Sequence, residues 1–162
     1  MTLPLDGRPA PLEWSPENCS IRRTLDLLGP SSSMLVLREA LYGTRRFDQF
    51  VERLGMSETS VAARLKHLTQ VGMLARRQYR ESGSRPRDEY VLTQRGEDLA
   101  PVLMALLQWG NRYLQDDPAP LDLVDADGNP VQMTFQRADG STVAPRELHL
   151  RSHEDPARTQ RH

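Results

Sequence analysis

Apolar residues recur every three or four positions between Cys19 and Gly72, and Gly or Pro interrupts the pattern at short intervals. "CSIRRTLDLLG" puts Ile21, Leu25 and Leu28 on one face and closes at Gly29, which predicts a short helix. "PSSSMLVLREALYG" opens with helix-entry residues and ends at Gly43, with Met34, Leu35, Leu37, Leu41 and Tyr42 mostly inward. "RRFDQFVERLG" predicts a third helix, ended by Gly55. Ser57 then caps a helix in "MSETSVAARLKHLTQVG", whose Val61, Leu65, Leu68 and Val71 form its buried face. Short helices with tight Gly joints are the helix-turn-helix arrangement.

After Gly72 the period changes to two. "MLARRQY" and "RDEYVLT" alternate as strands, and "RESGSRP" between them is a turn-rich basic tip with Arg80, Arg85 and Arg87 at or near it. A helix-turn-helix followed by such a hairpin is a winged helix. One long amphipathic helix is expected from Gln94 to about Leu114, carrying Leu99, Leu103, Leu106, Leu107, Trp109 and Tyr113. "DDPAP" breaks it, and two Asp-Gly turns between apolar alternations predict a small acidic β-meander over 121–151. The fold class is mainly α with a small β component. A winged helix-turn-helix domain with helical dimerisation elements spans 18–114. Residues 1–17 form an N-terminal extension, loosely ordered although Trp14 suggests that part of it docks, and 152–162 a disordered tail.

With 38% hydrophobic and 27% charged residues the composition is that of an ordinary globular chain. No apolar run is long enough to span a membrane, and the N-terminus has no signal-peptide pattern, so the expected location is cytoplasmic. One cysteine, Cys19, excludes an internal disulfide, and the four histidines have no ligand spacing; neither a metal nor a cofactor is expected. No nucleophile elbow or phosphate-binding loop is present, so no catalytic residue is assigned. The net charge of −1 hides an asymmetry. Arg38 to Arg95 carries twelve Lys and Arg against seven Asp and Glu, while the remainder carries nine against fifteen. A basic middle between acidic ends points to a polyanion.

The polar face of the Ser57 helix fits that partner. Thr59, Ser60, Ala63, Arg64 and His67 are short polar groups, a methyl and two longer donors, unlike the Glu/Lys alternation of a solvated helix. An α-helix enters the major groove of duplex DNA, where hydroxyls reach base edges, Arg grips guanine and Ala meets a thymine methyl. Ser57 brings the helix N-terminus, with its free amides, towards phosphate. Arg45 and Arg46 are expected as phosphate clamps, and Arg85 and Arg87 as wing contacts to the backbone or minor groove.

"CSIRRTLDLLG", "LREALYGTRRFDQF", "LKHLTQVGMLARRQY" and "RPRDEYVLTQRGEDLAPVLMALLQWG" together resemble the HxlR family of bacterial, MarR-like transcriptional regulators over about Asn18 to Leu114. The resemblance implies a homodimer acting on double-stranded promoter DNA as repressor or activator, with a small-molecule effector or redox signal as a further partner. Area supports the dimer: the last long helix has more apolar positions than one small domain covers. Ile21, Leu25, Leu103, Leu106, Trp109 and Tyr113 are therefore expected at a two-fold interface, docking on the meander being the alternative. A winged-helix module that binds protein instead of DNA is the competing function.

Two features stand apart. Where the family carries Gly-x-Lys/Arg-Trp-Ser/Thr, this chain has "GPSSS", Gly29 to Ser33, so the missing indole leaves either a helix start repacked by Met34 or Trp14, or a pocket. Cys19 matches the family's N-terminal cysteine and lies a helical turn from Arg22 and Arg23. It is either a redox sensor or a small inert core residue.

Overall fold

In the computed structural model, which describes residues 2–4, 16–79, 87–116 and 118–151, helices form where that spacing predicts them. They are α1 (Ser20–Leu28), α2 (Ser31–Leu41), α3 (Phe47–Leu54) and α4 (Glu58–Gln70). Gly55 ends α3 with φ +60°, a left-handed turn that a side chain would oppose, and the chain reverses there into α4. The Ser57 hydroxyl accepts from the Ser60 N–H at 3.3 Å and caps α4.

β2 (Leu74–Tyr79) and β3 (Arg87–Leu92) form the antiparallel wing, with Leu74 opposite Leu92 and Tyr79 opposite Arg87. The basic tip expected between them, residues 80–86, lies outside the described residues. A third backbone segment joins the wing. The Tyr90 N–H donates to the Arg45 carbonyl at 2.8 Å, and Arg46 bridges Glu89, so the approach to α3 is stitched to β3.

The chain divides into two units, residues 27–130 and residues 1–26 with 131–162. In the larger, Val61, Leu65 and Leu68 of α4 are fully buried with Val36 and Leu37 of α2 and Phe50 of α3; Met73, Leu74 and Leu103 complete the core. Burying each such side chain contributes roughly 1.5–3 kcal/mol. The inward face of α2 differs from expectation. Ser33, Val36, Leu37 and Glu39 are buried, whereas Leu35 and Tyr42 are exposed. Several overlapping apolar stripes are available on so apolar a helix, and packing against α3 and α4 selects one.

The helix expected over 94–114 is two helices, α5 (Gln94–Glu97) and α6 (Ala100–Leu114). Pro101 lies in the first turn of α6; it has no N–H to donate, and its ring excludes the carbonyl four residues back, so the helix must restart. Thr93 caps α5 by accepting from Gly96 N–H at 3.2 Å, and its hydroxyl hydrogen points to the Gly72 carbonyl at 2.6 Å.

Both Asp-Gly turns form, with Gly128 and Gly140 at positive φ. Asp125 accepts from the Asp127 and Asn129 amides at 2.9 Å, and Asp139 from Ser141. The meander expected over 121–151 is not one sheet, however. Val124 and Pro130 make an isolated bridge, while β4 (Phe135–Gln136) pairs with β5 (Thr142–Val143). Strands of two residues are too short to recruit further neighbours. In the smaller unit β1 (Thr2–Pro4) pairs antiparallel with β6 (His149–Arg151), so part of the extension expected to be loose is a strand. Trp14 and the tail 152–162 lie outside the described residues.

Candidate nucleic-acid interface

With Val61, Leu65 and Leu68 turned into the core, α4 presents Glu58, Thr59, Ser60, Ala62, Ala63 and Lys66 to solvent, and Arg64 is half-buried. The first turn is already ordered: the Ser57 hydroxyl donates to Ser60 Oγ at 2.9 Å while accepting from the Ser60 N–H. Ser57 is thereby held as a cap, and Ser60 keeps its own hydroxyl hydrogen for a further acceptor. Arg64 has no hydrogen-bond or ion-pair partner among the described residues, which leaves its guanidinium available. Ala62 and Lys66 were missed by the sequence reading. The signal was present, since Thr59, Ala63 and Lys66 are spaced by four and three and share a face.

His67 has a partner within the protein. Its Nε2 lies 2.8 Å from the Leu27 carbonyl at the end of α1, and its ring packs near Gly29. Spaced four from Ala63, it belongs by period to the polar face. The carbonyl at the helix C-terminus is nevertheless a strong acceptor that draws the imidazole sideways. His67 ties α4 to the α1–α2 corner.

Arg45 is exposed, and its carbonyl is held by Tyr90. Arg46 starts α3 and accepts no capping role with its side chain. Its guanidinium lies 6.0 Å from the Tyr79 ring centre, with Asp48 at 3.7 Å, and the Arg46 backbone N–H donates to Gln49 Oε1 at 3.2 Å. Arg46, Phe47, Asp48, Tyr79, Arg87 and Tyr90 line a cleft of about 390 Å³ between α3 and the wing. Arg87 is exposed. On the wing strands Arg76 donates to Asp88, and that hydrogen bond and charge raise the Arg76 pKa further. Arg77, exposed opposite Glu89, is a further cation that the sequence reading left unassigned. Arg85 and Arg80 lie outside the described residues.

Beneath this surface is a buried carboxylate. Glu39, 3% exposed, accepts at Oε1 from Arg38 Nη2 (2.7 Å) and Nε (3.1 Å), and at Oε2 from Arg53 Nε (2.5 Å) and Thr44 Oγ1 (3.3 Å). Burial alone would raise its pKa; the hydrogen bonds and charges of Arg53 and Arg38 outweigh that and hold it below the ordinary carboxyl value.

Of the residues expected at a dimer interface, Ile21, Leu25, Leu106, Trp109 and Tyr113 are more than half exposed. Leu103 is a correction: at 8% exposed it belongs to the protomer's own core, because its position on α6 faces α2. Trp109 and Tyr113 rings lie 5.4 Å apart, one turn apart on α6. Cys19 is half-buried. Arg23 is engaged by the Glu17 carbonyl (3.2 Å) and Asn18 Oδ1 (3.0 Å), and Arg22 faces Asp26 at 3.7 Å, so oxygen partners hold both cations expected to serve the thiol. In the "GPSSS" stretch Ser33 is fully buried, its hydroxyl without a partner among the described residues, while Met34 packs against the core.

The model of the HxlR-like helix-turn-helix family matches residues 27–118. An uncharacterized HTH-type transcriptional regulator of Mycobacterium tuberculosis is 39% identical over 104 residues, which is 64% of this chain and 65% of that protein. The chain thus spans slightly less than two thirds of this relative. Among solved structures, PA1607, assigned as a transcription factor, superposes with a TM-score of 0.74 at 34% identity, covering 85% of this chain and 96% of that one. The redox regulator HypR in its reduced form gives 0.52 at 25% identity, covering 59% and 96%. No helix among the described residues is long and apolar enough to cross a membrane.

Proposed function

Because the chain belongs to the HxlR-like helix-turn-helix family, we propose that it is a sequence-specific DNA-binding transcriptional regulator that acts on promoter DNA as a homodimer. The observation that carries this reading is the exposed face of α4, with Thr59, Ser60, Ala63, Lys66 and Arg64 on a helix whose opposite face is wholly buried. Such a helix is rigid, its N-terminus is capped, and its accessible groups are those that read base edges in a major groove. Arg45, Arg46 and Arg87 supply phosphate contacts beside it, and Arg85 at the wing tip is assigned the same role. Each promoter half-site takes one α4, and two-fold symmetry requires half-sites about one helical turn apart or a small multiple of it.

The exposed stripe Val102, Leu106, Trp109 and Tyr113 on α6 supports the dimer, since apolar surface of this kind is costly to leave in water. Ile21 and Leu25 are assigned to the same role. Control by a small molecule, or by oxidation of Cys19, completes the proposal, HypR being a redox regulator. The decisive experiment is a footprint on the DNA upstream of the protein's own coding region, together with anisotropy titrations against specific and random duplex over a range of salt. Protection of a near-palindrome and a steep salt dependence support the reading. Salt-independent or absent binding to any duplex would leave the same surface to a protein partner.

A further inference from the structure

We propose that Glu39 is a positioning residue for the DNA-binding surface: its buried carboxylate holds the segment bearing Arg45 and Arg46, and helix α3, in one place relative to α2. The inference rests on the DNA-binding reading above.

A carboxylate 3% exposed in the last turn of α2 is costly, and apolar side chains of similar volume often serve stability as well or better than a buried ion pair. What apolar contacts cannot do is fix direction, and here three elements meet on two oxygens. Oε2 takes Arg53 Nε from the last turn of α3 and Thr44 Oγ1 from the chain entering α3. Oε1 takes Arg38, so that the carboxylate plane is set from both sides. Thr44 is doubly held, because its N–H also donates to the Glu39 carbonyl at 3.0 Å. One residue further on, the Arg45 carbonyl accepts from Tyr90 N–H, and Arg46 bridges Glu89. The chain of contacts therefore runs from Glu39 through Thr44 to the two cations and on to the wing. Tyr90 closes it by an edge contact with Phe50 of α3, ring centres 6.4 Å apart. Removing the carboxylate releases Arg53 at one end of the segment and leaves Thr44 at the other on its main-chain bond alone, while keeping every DNA-facing side chain in the sequence.

Two variants of the full chain test this. Glu39→Gln keeps the shape and weakens the hub; Glu39→Met with Arg53→Met replaces the pair by apolar groups that retain stability without direction. Two readouts apply: hydrogen exchange of the Tyr90 amide, and the slope of log affinity against log salt for a random-sequence duplex. In both variants Tyr90 exchange is expected to rise about tenfold or more while the Leu65 and Leu68 amides stay protected. The salt slope should fall by roughly one to two, the value of one or two lost phosphate contacts. Val36→Ala, a destabilising core change on the same helix, should leave the slope intact. An unchanged Tyr90 amide and slope in both variants would overturn the proposal, as would a uniform rise at all amides, which reports only global stability. If the wild-type protein binds no duplex, the DNA-binding reading has failed first, and Glu39 positions nothing that meets DNA.

Discussion

Gly96→Ala is expected to destabilise the protein although helix propensity predicts the reverse. Gly96 lies inside α5, where alanine gains about 1 kcal/mol over glycine in a free helix. A Cβ built there would stand 2.3 Å from the Met73 carbonyl oxygen and 2.8 Å from Leu92 Cδ2. The oxygen cannot easily retreat, because it accepts from Thr93 N–H at 3.1 Å. A movement of about an ångström is needed to reach ordinary contact. Overpacking of this kind costs roughly 1–3 kcal/mol, and each weakened hydrogen bond about 0.5–1.5 more. After the propensity gain the net loss is about 2 kcal/mol, or several degrees in Tm for a domain of this size. Urea unfolding followed by far-UV dichroism measures it directly. A variant as stable as the parent, or more so, would show that α5 does not press on the start of the wing as the structure has it.

Arg64→Ala should weaken specific duplex more than random duplex by about 1–3 kcal/mol in an anisotropy titration; equal loss on both would remove it from base readout. Arg85→Ala with Arg87→Ala should weaken both duplexes alike and flatten the salt slope, and an unaltered slope would place the wing away from phosphate. Trp109→Glu is expected to give a monomer by sedimentation, and a persistent dimer would move the interface elsewhere. The Glu39 carboxyl titrates below its unfolded value, so its contribution is fully present above about pH 4.3 and is lost as pH falls through the lower folded value. Urea titrations should show the stability difference between wild type and Glu39→Gln shrinking below about pH 4; a constant difference down to the acid transition would contradict the charge-based account.

Much of the candidate site was legible because it depends on local periodicity. Val61, Leu65 and Leu68 announce the buried side of α4 by their spacing, and what remains must face outward. Ser57 and the two Asp-Gly pairs act through atoms a few residues away, so their caps and turns could be read directly. Lys66 was equally readable and was overlooked. His67 was not readable: the acceptor that captures it is the carbonyl of Leu27, forty residues earlier in the chain.

The order and type of the helices, the hairpin and the polar face of α4 are properties of the sequence by itself, because each is set by neighbours within about one turn or one strand pair. Tertiary structure alone decided which stripe of α2 is buried, that Leu103 serves the protomer core, and that Glu39 belongs inside it. In all three the deciding partner lies on another element, which for Glu39 is Arg53 of α3. A carboxylate on an apolar helix looks like a solvated charge until folding brings Arg53 and Thr44 to its oxygens, which offset part of the cost of burying it.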